Sequence, residues 1–378
     1  MDNASTTQVS PEVLVAMLPY FTERYGNAGN IHTMGLEAER AVEEARCAVA
    51  KPVNADANNI IFTSGGSEAN SLAIVGLLPY LKKIGKMHII TSTIEHHSVL
   101  ESMRHAISEG FEVTFIPPTV GGMTDMEQIK NAMRKDTGLM SFMYINNEIG
   151  SANNIEEIGN LCYENSILFH TDCVQAYCKK EINVNKMHVD FLSVSGHKIH
   201  APKGIGFLYA RNKYLLQPII HGSKSQEFGL RGGTENVPYI VGFGEASKHN
   251  NSWDFRCGVK ASEMRDALTM KLRSAGIAFH INGYPDFYSR IINLRFDDVD
   301  GETLLLMLNS KGLLVSAGSA CSAHEAKPSH VLTEIGLSDS EARSSVRFSF
   351  SEYTTKSEVQ EAAEIVAESI KQLLAAKE

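Results

Sequence analysis

Four short stretches carry side chains whose types and spacing could do chemistry. FHTDCVQA ends an apolar run in Asp172 and sets Gln175 three residues on, so a carboxylate and an amide project from one side if a helical turn follows. FLSVSGHK ends another run in Ser195, followed by His197 and Lys198 on a glycine-bearing turn. FTSGGSEAN joins a third run to a helix through Gly65, Gly66 and Ser67, a place where backbone N–H groups and a helix dipole would hold a phosphate. SAGSACSAHEAKPSH, residues 316–330, sets Cys321 among small residues suited to movement. Taken singly these features are ordinary: a strand-end Asp is an N-cap, a turn lysine a solvated charge, a glycine-rich turn a steric necessity.

The elements that position them read as alternating strands and helices. Strands are expected at NIIFT (59–63), MHIIT (87–91), FEVTFI (111–116), LMSFMYI (139–145), ILFHTD (167–172) and DFLSVS (190–195). Amphipathic helices such as EANSLAIVGLLPYLKKI and IEEIGNLCYENS lie between them, which predicts βαβ units and a mainly parallel sheet. In such a sheet ligands sit at the carboxyl ends of the strands, where these residues fall. Beyond about residue 250 the texture changes to a polar linker (KHNNSWD), a long helix from Gly258 to Ala275, strands at IINLRF and SVRFSFS, and a closing helix from Lys356. The expected division is a large α/β domain over 13–253 and a smaller α+β domain formed by 1–12 and 254–378.

Composition limits the function. The 378 residues are 43% hydrophobic, enough for a large core and a second lobe. The net charge is −9 and the basic residues are scattered singly, which argues against nucleic acid or a membrane surface as partner. The opening MDNASTTQVSPEV has neither a basic start nor an apolar segment, and no run approaches a membrane-spanning length, so a cytoplasmic protein is expected. The six cysteines form no CxxC and are read as reduced. All except Cys321 are expected to be small buried hydrophobes, although Cys173, Cys178 and nearby His170 suggest an imaginable metal site.

Together, a lysine for an aldehyde, a carboxylate for a pyridinium nitrogen and a phosphate cradle are the requirements of pyridoxal 5′-phosphate. The motifs SGGSEANSLAI, IEHHSVL, NNEIG, FHTDCVQA, SGHK with PKGIGFLY, RGGTEN, and GSACS with PSHVL follow in that order over most of the chain. In this they resemble the cysteine desulfurases of the class V aminotransferase family, and the opening DNASTT is similar to that family's N-terminal DNAATT. The spacing from Cys321 to PSHVL is similar to the family's long-loop branch.

The resemblance implies the PLP-dependent transferase fold type I and conversion of L-cysteine to L-alanine, with sulfur left on Cys321 as a persulfide. It implies Lys198 bonded to the cofactor's aldehyde, Asp172 on the ring nitrogen, Gln175 on the ring oxygen, and His96 stacked on the ring and moving protons. His97 does not match that role and is read as structural. Gly66, Ser67, Ser195 and His197 would bind the phosphate, and Thr234 would reach the phosphate of the other subunit of a homodimer. Asn147 and Arg347 would hold the substrate carboxylate, for which a guanidinium fork is suited. Asn147 is counted among the cofactor contacts as well. Cys321 would pass sulfur to an acceptor such as an iron–sulfur scaffold protein, with transient iron–sulfur ligation at that thiol conceivable and no resident metal expected. His324 is a candidate for lowering the thiol's pKa, with a solvent-facing loop histidine as the competing reading.

The chain departs from the family pattern in places. GNAGN stands before His32 where GNPSS is usual, SANNI follows NNEIG in place of a Gln-Pro step, and Gly232 and Cys173 stand where a hydroxyl residue and an alanine are common. A transaminase or lyase sharing the site would not need GSACS, and a selenocysteine lyase is a related reaction. A catalytically silent relative would lack at least one of Lys198, Asp172, His96, Arg347 and Cys321, all present here.

Overall fold

A computed structural model describes residues 1–250, 255–317 and 328–377, the side chains of 255–257 excepted. Cys321 and His324 lie outside the described residues. Seven strands form the larger sheet: β1 (Ile60–Thr63), β2 (His88–Ser92), β3 (Glu112–Ile116), β4 (Thr137–Ser141), β5 (Leu168–Asp172), β6 (Phe191–Ser195) and β7 (Gly206–Ala210). Their order across the sheet is β1-β7-β6-β5-β4-β2-β3. The pairings from β3 through β6 are parallel, and β7 runs antiparallel between β6 and β1. Every residue of β2, β4, β6 and β7 is buried, as expected where helices cover both faces, and polar residues among them such as His88 and Thr91 bond to neighbouring strands.

The six expected strands are all present, β4 being shorter than LMSFMYI suggested. β7 adds a strand that the alternating pattern did not announce, because it returns antiparallel after a connection of only ten residues without an α-helix between. Gly206 opens it under tight constraint: a Cβ there would lie 2.4 Å from the Val194 carbonyl oxygen and 2.8 Å from Gly65. The expected single helix EANSLAIVGLLPYLKKI is corrected to two, Gly66–Ile74 and Leu78–Lys83, joined by a tight turn. Pro79 cannot donate within a continuing helix, and a Cβ at Gly76 would sit 2.7 Å from the Gln217 carbonyl oxygen.

A second, antiparallel sheet is made of β8 (His280–Ile281), β9 (Ile291–Arg295) and β10 (Ser345–Ser349), ordered β10-β9-β8. Its helices Phe255–Ser274, Gly301–Ser310 and Lys356–Ala375 bury Leu268, Leu304, Val366 and Ile370 against Leu294, Val346 and Phe348. The N-terminal segment joins the two sheets. Ala4 N–H donates to Ser349 Oγ at 2.9 Å, while Thr7 and Ser10 N–H groups donate to the carbonyls of His197 and His200.

Three of the cysteines behave as expected: Cys162, Cys173 and Cys178 are buried, and burial pushes each thiol's pKa up. Cys47 is a correction, being exposed. Its helix, Thr33–Ala50, turns Ala38, Val42, Ala45, Arg46 and Val49 inward, which leaves position 47 on the outer face. The metal site imagined at Cys173, Cys178 and His170 is not formed, and no metal-ligand cluster occurs among the described residues. His170 instead spans Ser141 Oγ at 2.8 Å and Ser193 Oγ at 3.0 Å, tying β5 to both its neighbours.

Near β1 lies a buried ion pair. Arg46 meets Glu227 through two bonds of 2.8 and 2.9 Å, and Glu227 also accepts from the Phe62 N–H at 2.6 Å. Glu227 adopts φ 40°, a left-handed backbone that this pairing holds in place. Removing the Glu227 charge would leave the buried Arg46 only the exposed Glu43 carboxylate, 3.0 Å from its Nε, as counter-charge. Glu227→Gln should therefore cost about 3 kcal/mol of stability, measured by equilibrium denaturation. A loss below roughly 1 kcal/mol would show that the pair behaves like a surface contact.

Candidate active site

The carboxyl ends of β1, β5 and β6 open on a cavity of about 430 Å³. Gly66, Ser67, His96, Asn147, Asp172, Gln175, Ser195, His197, Lys198 and Arg347 all line it, so these expected site residues come together. Thr234 does not. It is exposed and lines a smaller neighbouring cavity of about 210 Å³ with Glu227 and Arg231.

The turn after β1 is built for close approach. Gly65 precedes the helix Gly66–Ile74, and a Cβ on Gly66 would stand 2.8 Å from Val174 Cγ2. The turn is held by Glu68, which also lines the cavity: its carboxylate accepts from Ser64 N–H at 2.7 Å and meets Arg231 Nε at 3.2 Å. The first N–H groups of this nine-residue helix have no partner within the helix and lie at its positive end. Ser195 packs beside the same turn, a Cβ on Gly66 standing 3.4 Å from Ser195 Cβ, and both Ser195 and His197 line the cavity.

Asp172 ends β5 with its carboxylate fixed at both oxygens. Val174 N–H donates to Oδ1 at 2.9 Å and Asn70 Nδ2 donates to Oδ2 at 2.8 Å. Asn70 also donates to Ser98 Oγ at 2.9 Å, and Ser98 Oγ lies 2.7 Å from His96 Nδ1. One amide thus connects the strand-end carboxylate to the cavity histidine. His96 caps the helix His97–Ser108, its Nδ1 accepting from the Ser98 N–H at 3.1 Å. A nitrogen that accepts from a backbone N–H carries no proton of its own, so the neutral ring holds its proton at Nε2. Burial keeps the ring's pKa below its ordinary value, opposed by Asp172 and aided by Lys198. His197 is lowered to about 3 by burial, with Lys198, Lys203 and Lys179 adding to it. It is therefore neutral near pH 7, its Nδ1 3.1 Å from Thr6 Oγ1.

Lys198 follows β6 on a short turn and reaches the N-terminal segment, where Nζ donates to the carbonyls of Ala4 at 2.7 Å and Ser5 at 2.6 Å. Gln175 Nε2 donates to the same Ala4 carbonyl at 3.0 Å. Arg347, in the centre of β10, is nearly completely buried. It donates to the Asn147 carbonyl at 2.8 Å, Asp2 Oδ1 at 2.9 Å and Ser5 Oγ at 2.7 Å, while its buried Nε has no hydrogen-bond partner. Asn147 is presented by a turn that its neighbour builds: Asn146 Oδ1 accepts from the N–H groups of Glu148 and Ile149.

The donor set fits pyridoxal 5′-phosphate. The cavity has a glycine cradle that a Cβ would fill, a carboxylate held at one wall, a lysine between them, and a buried guanidinium N–H awaiting an acceptor. Asn70, Ser98 and the Asp2–Ser5 segment are site residues that motif reading passed over. Asn70 could have been found, since it lies four residues after Gly66 and so shares its helix face.

The description Aminotransferase class-V matches residues 1–361. The cysteine desulfurase IscS of Methanosarcina thermophila is 42% identical over 99% of this chain and 92% of its own length. The putative cysteine desulfurase IscS 1 of Bacillus subtilis is likewise 42% identical, covering 99% and 98%. Among solved structures, a NifS-like protein superposes with a TM-score of 0.90 at 32% identity, covering 98% of both chains. SspA in complex with cysteine gives 0.82 at 38%, covering 94% of this chain and 99% of that one. With its fold, its cavity and nearly its whole length in agreement, the chain belongs to the class-V aminotransferase family, among the cysteine desulfurases.

Proposed function

We propose that this protein is a PLP-dependent cysteine desulfurase that takes sulfur from L-cysteine onto Cys321. The observation that carries the reading is the single cavity that gathers Lys198, Asp172, Gln175, His96 and the Gly65–Gly66 turn with Arg347 from the other sheet. In the overall change the substrate's bond from Cβ to sulfur breaks, a sulfur–sulfur bond forms to Cys321, and Cβ gains the hydrogen that makes alanine. The products are L-alanine and an enzyme persulfide. PLP when bound supplies an electron sink that labilises the bonds around the substrate's α-carbon.

The chain's own groups supply position and protons. Lys198 would hold the cofactor, Asp172 would face its ring nitrogen, and Gly66, Ser67, Ser195 and His197 would hold its phosphate. Arg347 would bind the substrate carboxylate through Nε, with Asn147 beside it, and that bond would replace the acceptor the buried Nε lacks. His96, neutral with its proton on Nε2, can pass a proton within the cavity without first losing a charge.

The enzyme is proposed to be a homodimer. Thr234 is off its own chain's cavity, as suits a residue that serves the other subunit's phosphate, and the N-terminal region exposes Val15, Phe21, Tyr25 and Ile31. The division at residues 13–253 is supported by the separate apolar cores of the two sheets. Sulfur would leave Cys321 for a protein acceptor of the iron–sulfur scaffold kind, in the cytoplasm. No helix among the described residues is long and apolar enough to cross a membrane.

Incubation of PLP-loaded protein with L-cysteine tests the reading. Stoichiometric alanine should accompany a persulfide on Cys321 detected by mass spectrometry. A coloured, folded protein that binds PLP and releases no alanine would overturn it.

A further inference from the structure

Lys179 is a buried-side cation that the reading above does not use. It lies on the turn after Asp172 and lines a cavity of about 10 Å³, the room one water needs, together with Lys198, Gln175 and Glu352. Its Nζ donates to Gln175 Oε1 at 3.3 Å. On the other side of the same amide, Gln175 Nε2 donates to the Ala4 carbonyl at 3.0 Å.

These two contacts decide which way the amide points. A carbonyl oxygen can only accept, so the Gln175 atom facing Ala4 must be the NH₂. An ammonium can only donate, so the atom facing Lys179 must be the oxygen. A flipped amide would set oxygen against oxygen at Ala4 and NH₂ against a cation at Lys179. The Ala4 carbonyl also receives Lys198 Nζ at 2.7 Å, so that contact is shared with the lysine expected to bond the cofactor. The Lys179 contact is the one that does not involve Lys198.

We infer that Lys179 is a positioning residue: it holds the oxygen of Gln175 away from the cavity so that the amide NH₂ is presented toward the cofactor's ring oxygen. The inference rests on the proposed placement of Lys198 and Gln175. Burial draws the Lys179 pKa down to about 7, with the Arg290 guanidinium and Lys198 contributing and Glu352 opposing. The contact survives that titration, because a neutral amine still has N–H groups to donate, and the Ala4 carbonyl, which can only accept, excludes the flipped amide in either protonation state.

A donor on the ring oxygen stabilises its anionic form and weakens its hold on the neighbouring proton. Loss of that donor raises the pH at which the lysine-bound cofactor's visible band titrates. The experiment loads PLP onto wild type, Lys179→Met, Lys179→Arg, Gln175→Leu and the Lys179→Met/Gln175→Leu pair, and follows the band with pH. Lys179→Met and Gln175→Leu should each raise the midpoint by about half a unit. The double variant should move no further than either alone, since both remove the same contact. Lys179→Arg should keep the wild-type midpoint. Additive shifts in the double variant, or a wild-type midpoint in Lys179→Met, would overturn the inference. If Lys179→Met fails to fold, Lys179→Gln, too short to reach Gln175, takes its place with the same expected shift. A wild type with no lysine-bound band would instead overturn the underlying cofactor reading, which keeps the two failures distinct.

Discussion

Lys198→Ala will bind PLP without a covalent bond and lose turnover of L-cysteine by about four orders of magnitude or more. The lysine stands alone in kind at its place in the cavity. Lys203 also lines the wall, but it lies beyond the turn, and Lys179 sits in the smaller cavity behind Gln175. Without Lys198 there is no amine at the end of β6 to bond an aldehyde or, once released from it, to take up a proton. The phosphate cradle, Asp172 and Arg347 do not depend on Lys198 for their own hydrogen bonds, so noncovalent cofactor binding should persist. The Ala4 and Ser5 carbonyls would each lose a donor from Lys198, and Ala4 would keep the one from Gln175. Borohydride treatment of the loaded variant should leave no label on the chain, whereas the wild type should be labelled at residue 198. Labelling of the variant elsewhere in the cavity, with turnover near that of wild type, would refute the assignment.

Most of the frame is legible because it depends on short-range pattern. Short strands such as FLSVS and HIITS, which carry β-branched or aromatic residues and are bounded by turns, alternate with helices, and the strand-end rule then brings Asp172, Ser195 and Lys198 to one edge. What escaped the sequence depends on tertiary contact. β7 is a strand because Gly206 can approach Gly65, a relation between residues about 140 apart that periodicity cannot carry. The break at Gly76 likewise depends on Gln217 lying against it.

The site shows the same division. Residues proposed to meet the cofactor sit in compact motifs, while those that hold them are dispersed: Asn70 on a helix face, Ser98 after the histidine pair, Asp2 and Ser5 at the N-terminal end. A polar residue on a helix face looks the same in sequence whether it meets water or a buried carboxylate. Cys47 shows the converse error, since small size and apolar character made it read as buried although its helix turns it outward. Glu68 was visible as an acid in a first helical turn, yet its pairing with Arg231 links the phosphate turn to the segment carrying Thr234, and this only the fold displays.

Cys321→Ser should keep the lysine-bound cofactor band and lose persulfide formation, with alanine release from L-cysteine falling by about three orders of magnitude. Cys321 itself lies outside the described residues, but both flanks of its segment are anchored to cavity-lining Arg347 or to the sequence neighbours of cavity-lining Asn147 and His96. On one side Ser316 pairs with Arg347, its N–H 3.3 Å from the Arg347 carbonyl and its carbonyl 2.7 Å from the Arg347 N–H. On the other side Ser329 donates to the Glu148 carboxylate and His330 Nε2 lies 3.1 Å from the Glu95 carbonyl. His330 also packs against His97, ring centres 4.8 Å apart, beside the expected cofactor histidine His96. Cys321 lies five positions after Ser316, a span of at most about 17 Å when fully extended. A thiol tethered at that length to the strand carrying Arg347 can reach a substrate whose carboxylate Arg347 is proposed to hold. Serine can occupy the same position, but its hydroxyl stays protonated near neutral pH and is a poor nucleophile toward sulfur, so the bond to Cys321 would not form. The proposed cofactor contacts do not include residue 321, which is why the band should survive. Alanine released by Cys321→Ser at the wild-type rate would show that sulfur leaves the substrate without this thiol.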